Sequence, residues 1–297
     1  MEDIILIVDD SATVRTMLSK ILQDYNLLFA KSGFEMWEVL KNEKPSLILL
    51  DIMLPDTTGF DLIKELTENP DYKNIPIIFV TQSTERDDLK KGFDLGGMDY
   101  VRKPFDEVEL KVRINSALKI KKLENKLRVM STTDFLTGIY NRRYFYEVAN
   151  NNLFHIIRKK RTLTMAIIDI DLFKSVNDNY GHDCGDFVLK EFAKFIKESI
   201  RVYDVFARFG GEEFIIQFVE TDKILAKTVL DRIRQNLTNK TFQFNNKEIQ
   251  FSFSAGVAEL NEVDNQGDID SLIKIADSRL YIAKKTGRNK IVDADEY

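Results

Sequence analysis

Two short stretches pair carboxylates with flexible or cationic neighbours. DIDLFK at 169–174 ends an apolar run, and RFGGEEF at 208–214 sets Glu212 and Glu213 directly after two glycines. Side chains alternate along a strand, so Asp169 and Asp171 share a face. If that strand neighbours the RFGGEEF hairpin, Asp169 and Glu212 can hold a divalent cation against a triphosphate, with Lys174 neutralising the departing phosphates. This set supports attack of a ribose hydroxyl on an α-phosphate, a carboxylate accepting the proton. Gly210 and Gly211 are expected at the hairpin turn, where positive φ is allowed and nothing blocks approach to the backbone. Taken alone, the hairpin is equally well read as turn geometry with two solvated glutamates. Asn177 and Asp186, in NDNYGHDCGD, offer the amide and carboxylate that separate guanine from adenine. Either residue by itself reads as readily as a turn Asn or a helix cap.

A second constellation lies in the first third. Asp9 and Asp10 end one apolar run, Asp51 another, Thr81 a third, and Lys103 follows a fourth in RKPF. Clustered carboxylates repel unless a cation joins them, and an all-oxygen site suits Mg²⁺. Asp51 can then act as nucleophile toward a phosphoryl donor, Lys103 neutralising the added charge and Thr81 donating its hydroxyl.

The elements that must position these groups are legible. Apolar runs at 4–8, 27–30, 47–50, 77–80 and 100–101 alternate with helix-period segments. In the first helix Val14, Met17, Leu18, Ile21 and Leu22 follow the helical template, with Ser11 as cap. Runs apolar on both faces predict a doubly wound parallel sheet. Glu107 to Met130 contains no Gly or Pro and reads as one helix, roughly 35 Å long, in which Ser116, Ile120, Leu123, Leu127 and Met130 form a short a/d seam. Beyond it are expected a strand at 164–170, a helix from Asp186 to Ile200, strands at 206–209 and 214–218, a helix at 222–237, a strand from Ile249 to Ala258 and a helix at 269–285. Hairpins among alternating elements predict a mixed or antiparallel sheet. His155 is expected on an apolar helical face, in a structural role.

The 297 residues predict two domains. The net charge of -5 argues against broad binding to nucleic acid or anionic lipid, which needs surplus Lys and Arg. The start, MEDIILIVDD, carries acids where a signal peptide carries its positive segment, and no apolar run approaches a membrane span, so a cytoplasmic protein is expected. A single cysteine, Cys184, leaves no internal disulfide.

The strand-end set of Asp9, Asp10, Asp51, Thr81 and Lys103 resembles the receiver domain of bacterial response regulators over residues 1–122, a flavodoxin-like fold. The resemblance implies Asp51 as phosphoacceptor and a Mg²⁺ site of Asp9, Asp10, Asp51 and the Met53 carbonyl. It also implies Thr81 and Lys103 on the phosphoryl group, Tyr100 as aromatic switch and a cis bond before Pro104. The family usually has a small residue after the switch Thr. Here Gln82 stands, which would restrict water and alter the lifetime of the phosphoryl group.

DFLTGIYNRRYF at 134–145, DIDLFKSVND at 169–178, GHDCGD at 181–186, RFGGEEF at 208–214 and AKKTGRN at 283–289 together resemble the GGDEF domain of diguanylate cyclases. The resemblance implies an α+β palm-like domain over 133–297, joined to the receiver by a helical linker at 107–132 able to form a coiled coil. Two GTP would become cyclic di-GMP and two pyrophosphates where two subunits meet, in a homodimer or higher oligomer. Asp169, the Ile170 carbonyl and Glu212 would bind Mg²⁺, or Mn²⁺ in its place, and Lys174 would stabilise the transition state. Which of Glu212 and Glu213 takes the proton stays open. Asn177, His182 and Asp186 would bind the nucleotide, and Lys284 and Arg288 its phosphates. Arg201 and Asp204 would form the product-binding inhibitory site, with Arg232 supplied by a neighbouring subunit. A cognate histidine kinase is the implied phosphoryl source. The competing readings are a non-catalytic module that binds GTP or cyclic di-GMP, and a phosphorylation-dependent scaffold.

Overall fold

The computed structural model describes residues 3–81, 86–263 and 268–295. The chain divides into two units, Met1–Leu127 and Arg128–Tyr297. In the first, β1 (Ile4–Val8), α1 (Ala12–Ile21), β2 (Asn26–Ala30), α2 (Gly33–Asn42), β3 (Leu47–Asp51), α3 (Gly59–Glu68), β4 (Ile77–Thr81), α4 (Arg86–Asp94), β5 (Asp99–Arg102) and α5 (Glu107–Thr132) alternate. The strands form an all-parallel sheet in the order β2-β1-β3-β4-β5, the flavodoxin-like doubly wound arrangement. Alternation explains the continuous apolar runs. Ile5 and Ile7 pack with Leu18, Leu110 and Ile114 on one face, while Leu6 and Val8 pack with Met36, Leu40, Phe60 and Ile63 on the other. Ser11 caps α1 by accepting the Val14 N–H at 3.4 Å, and the Lys103–Pro104 peptide is cis.

Helix α5 buries Leu110, Ile114, Ala117 and Leu118 in its first half. Ser116, Ile120, Leu123, Leu127 and Met130 all lie exposed.

The second unit contains β6 (Tyr140–Asn141), α6 (Arg142–Lys159), β7 (Leu163–Ile170), α7 (Phe173–Tyr180), α8 (His182–Ser199), β8 (Val205–Gly210), β9 (Glu213–Val219), α9 (Lys223–Thr238), β10 (Phe242–Phe244), β11 (Lys247–Ile249), β12 (Phe253–Glu259), α10 (Ile269–Lys285) and β13 (Ile291–Val292). A mixed sheet runs β13-β12-β7-β9-β8-β6, its four central strands antiparallel. Central β7 is buried along its whole length. Ala166, Ile168 and Ile170 face α8 and α9, whereas Met165 and Ile167 face α6 and α10. Gly256 lets α10 cross β12 closely, since a Cβ there would lie 1.9 Å from the Ala276 carbonyl oxygen.

Several local expectations need correction. The hairpin turn holds Gly211 and Glu212, not both glycines: Gly210 pairs with Glu213, and only Gly211 has positive φ, at 52°. A bulge between Arg208 and Gly210 takes up the extra residue. The helix expected from Asp186 starts at His182, and a separate α7 precedes it behind Gly181, whose φ is 85°. The strand expected from Ile249 to Ala258 is two: β11 pairs with β10 in its own ribbon, and β12 joins the main sheet. His155 lies on α6 but is exposed, the buried stripe being Phe145, Ala149, Leu153 and Ile156.

Candidate functional site

In the first unit, the carboxyl ends of β1 and β3 deliver Asp9 and Asp51 to one point. Both are buried, Asp10 beside them is exposed, and one carboxylate oxygen of each lies within 4.8 Å of the others. Lys103, arriving after β5, places its Nζ 2.6 Å from Asp9 Oδ2 and 2.6 Å from Asp51 Oδ2. Burial pushes the Asp51 carboxyl pKa up, against the pull of Lys103. Burial works against the Lys103 charge as well, but the two carboxylates outweigh it and raise its pKa. Three close carboxylates answered by one ammonium make an all-oxygen donor set that fits a hard divalent ion. Thr81 is buried at the end of β4. Met53 is exposed, its N–H donating to Asp51 Oδ1 at 3.2 Å. Tyr100 packs edge-on against Phe93, ring centroids 6.0 Å apart, with the Arg113 guanidinium over its ring. Gln82 lies outside the described residues.

In the second unit, the end of β7 and the β8–β9 turn bring Asp169, Glu212 and Glu213 together. Glu213 is the register partner of Asp169, and the Ile170 N–H donates to the Glu212 carbonyl at 3.3 Å. Asp169 is buried, and its Oδ2 lies 2.7 Å from Lys284 Nζ, from the last turn of α10. Burial pushes the Asp169 pKa up to about 6; Lys284 opposes the shift, and the Glu212 and Glu213 charges add to it. A buried carboxylate with two acidic neighbours and one ammonium has the electrostatics of a cation site, and Asp169, Glu212 and the Ile170 carbonyl would be its oxygen donors. Lys174 is exposed in the first turn of α7.

Asp171 does not join Asp169. Both of its oxygens are engaged, by the hydroxyls of Ser252 and Ser254 at 2.7 Å each and by the Asn289 N–H at 2.9 Å. The next residue, Leu172, turns the chain with φ at 55°.

Asn177 and Asp186 are brought close through Gly185: a Cβ at that position would sit 2.0 Å from Asn177 Oδ1, so the amide lies against the α8 backbone one residue before Asp186. His182 and Asp186 are both exposed on the first turns of α8. Arg288 is exposed in the loop after α10.

A support absent from the sequence reading is the frame behind the hairpin tip. Arg208 donates through Nε and NH2 to the Gly211 carbonyl at 2.9 and 2.8 Å, and through NH1 to Asp134 at 3.1 Å. Burial alone would raise the Asp134 pKa, but hydrogen bonds from Thr137 and the Arg208 cation hold it below the usual carboxylate value. The signal was the basic residue just ahead of the glycines and the acid opening DFLTG.

Arg201 and Asp204 are tied through the backbone, the Arg201 N–H donating to Asp204 Oδ2 at 3.1 Å, while Asp204 Oδ1 accepts the Val219 N–H at 3.3 Å. Burial raises the Asp204 pKa. Both residues line a cavity of about 300 Å³ with Thr228, Val229 and Arg232. Arg232 of the same chain lines that cavity as well.

A family model described as diguanylate cyclase, GGDEF domain, matches residues 131–290, and one described as response regulator receiver domain matches residues 5–115. Diguanylate cyclase A of Treponema denticola is 39% identical over 170 residues, covering 56% of this chain and 45% of that protein. Response regulator PleD of Caulobacter vibrioides is 27% identical over 298 residues, covering 97% of this chain and 65% of that protein. The chain thus spans 45% and 65% of these two relatives' lengths. The solved coiled coil and GGDEF domain of DgcB from Caulobacter crescentus, in complex with c-di-GMP, aligns with a TM-score of 0.58 at 27% identity, covering 63% of this chain and 98% of that one. With more than half its length matched, and Asp169 of DIDLFK meeting the glutamates of RFGGEEF at the ends of the central strands β7 and β9, the chain belongs to the diguanylate cyclase GGDEF-domain family, carrying a response regulator receiver domain ahead of that domain.

Proposed function

We propose that this chain is a phosphorylation-regulated diguanylate cyclase that condenses two GTP into cyclic di-GMP and two pyrophosphates where two copies meet. The observation that carries the reading is the meeting of Asp169, Glu212 and Glu213 at the β7 and hairpin ends, with Lys284 bonded to Asp169. In each step a ribose hydroxyl oxygen of one nucleotide bonds to the α-phosphorus of the other. The bond to the bridging oxygen breaks, pyrophosphate leaves with the electron pair, and a carboxylate, Glu212 or Glu213, accepts the proton. Mg²⁺ or Mn²⁺ at Asp169, Glu212 and the Ile170 carbonyl would supply charge neutralisation and a more acidic hydroxyl.

The chain's own groups divide the remaining work. Lys174 offsets the charge that develops on the leaving phosphates, and Lys284 and Arg288 bind the triphosphate. Asn177, with Gly185 beneath it, and Asp186 read the guanine edge, with His182 beside the nucleotide. The cavity holding Arg201, Asp204 and Arg232 takes the product as inhibitor. Asp51 accepts a phosphoryl group from a histidine kinase in the cytoplasm, the compartment that supplies GTP. Asp9, Asp10, Asp51 and the Met53 carbonyl would hold Mg²⁺ there. Lys103 and Thr81 contact the phosphoryl group, and Tyr100 reports its arrival. The exposed stripe Ile120, Leu123, Leu127 and Met130 then pairs two helices and raises the effective concentration of one GTP half-site for the other.

The test is GTP turnover by the full chain, with and without beryllofluoride, across a range of protein concentrations. Beryllofluoride should shift half-maximal specific activity to lower protein concentration. Activity that is independent of both variables refutes the regulatory half of the reading, and no turnover at all leaves the non-catalytic binding module.

A further inference from the structure

Three consecutive residues after α10, Gly287, Arg288 and Asn289, have left-handed backbone, with φ of 114°, 61° and 48°. Glycine adopts this freely, but an arginine there is strained and persists only where the surroundings impose it. The surroundings do impose it here. The Arg288 N–H donates to the Ala283 carbonyl at 3.0 Å, and the Asn289 N–H donates to Asp171 Oδ2 at 2.9 Å. Asn289 Oδ1 accepts from Arg234 NH1 and Thr238 Oγ1, each at 3.2 Å, so α9 holds the loop from its other side.

Asp171 is itself buried, at 6% exposed, and hydrogen-bonded through both oxygens, to which Ser252 and Ser254 donate. With both oxygens accepting from protein donors, it stands apart from the Asp169 cluster, although only two residues separate them in sequence. The strand end that carries Asp169 is thus joined to the α10 loop twice, once by the Lys284 to Asp169 ion pair and once by the Asn289 to Asp171 hydrogen bond. The Asn289 to Asp171 bond does not involve the Asp169 carboxylate, so it can hold the loop near the cluster whether or not Lys284 stays paired.

We propose that Asp171 is a positioning residue for substrate: by holding the Asn289 N–H it keeps the strained loop in the one conformation that presents Arg288 to the triphosphate of GTP. This rests on the proposed nucleotide site but adds a residue and a means of action to it. Asp171 touches no substrate and acts through Arg288.

The experiment is a double-mutant cycle in the full chain with Asp171→Asn, which keeps the volume and removes an acceptor, and Arg288→Ala. Asp171→Asn should raise KM for GTP about tenfold with kcat changed less than about threefold, the pattern of lost ground-state binding. The Mg²⁺ concentration for half-maximal activity should stay the same. In the Arg288→Ala background the same substitution should change KM less than about twofold. Equal effects of Asp171→Asn in both backgrounds, or a raised Mg²⁺ requirement with unchanged KM, would overturn the proposal. Should Asp171→Asn fold poorly, Ser254→Ala removes one bond to Asp171 and should give a smaller KM rise that also vanishes in Arg288→Ala. The Kd of a non-hydrolysable GTP analogue reads the same cycle without catalysis. A parent chain that binds the analogue but makes no product would count against the cyclase reading and leave this inference to be decided by those Kd values.

Discussion

Lys284 Nζ lies 2.7 Å from Asp169 Oδ2, so a cation beside this buried carboxylate comes from the last turn of α10, more than a hundred residues away in sequence. Lys174 of DIDLFK itself stands exposed. Without metal, the Lys284 ammonium does part of the charge compensation that a divalent ion would do.

That pairing makes lysine and metal competitors for Asp169. Lys284→Ala should strengthen nucleotide-free Mn²⁺ binding several-fold, because no ammonium has to be displaced, while raising KM for GTP about tenfold, or ~1.4 kcal/mol of lost phosphate binding. Titration calorimetry with Mn²⁺ alone and steady-state kinetics read the two effects separately. Weaker Mn²⁺ binding in the variant would contradict the competition.

The Asp169 pKa of about 6 gives a pH dependence with a definite sign. The folded pKa is above the unfolded carboxylate value, so the folded state binds the extra proton. The favourable contribution is complete below pH 4 and is lost as pH rises through 6. In chelator, the thermal midpoint of the parent should therefore fall between pH 4 and 6.5 relative to that of Asp169→Asn, whose amide does not titrate. Added Mn²⁺ should reverse the difference above pH 6. A parent and variant that run parallel would show that Asp169 titrates elsewhere.

Gly185 is where the nucleotide loop leaves no room. A Cβ would meet Asn177 Oδ1 at 2.0 Å, and Asn177 is a side chain that can move. Gly185→Ala should displace the amide at a cost of ~1–3 kcal/mol, raising KM for GTP at least tenfold. With Asn177 reading the base as proposed above, the preference for GTP over ITP should shrink in the same variant. An unchanged preference would place Asn177 away from the base.

Arg208 holds the tip of the hairpin by two donations to the Gly211 carbonyl, and Asp134 holds Arg208. Arg208→Ala frees the turn that carries Glu212, and displacement by about 1 Å at a reacting centre is worth up to ~10²-fold in rate. The expectation is a fall of ten- to a hundredfold in kcat with KM little changed, and a weaker version of the same effect for Asp134→Ala. A KM effect alone would show that the turn stays in place without them.

What is legible in the sequence follows the physics of each signal. Runs such as IILIV and LILL announce buried parallel strands because both faces are apolar, and these became β1 and β3. The hairpin turn falls one residue later than the glycine pair suggests because the bulge after Arg208 shifts the register, and a bulge leaves no mark in a pattern of alternating residues. The run from Ile249 to Ala258 read as one strand because nothing in its composition separates Ile249 from Phe253; the break comes from pairing with β10, a tertiary choice. The stripe Phe145, Ala149, Leu153, Ile156 is visible at helical spacing and marks α6. The carboxylates of the site were legible because they cluster at strand ends. Their partners were not: Lys284, Arg208 and the serines on Asp171 are contacts across the fold, and only the folded chain brings them in.

The most direct test of the account is product analysis after incubating the purified chain with GTP and Mg²⁺. Cyclic di-GMP and pyrophosphate should accumulate in a one to two ratio, with neither formed in chelator nor by Asp169→Asn. GTP recovered intact, or cleaved only to GDP, by a folded chain with metal present would contradict it.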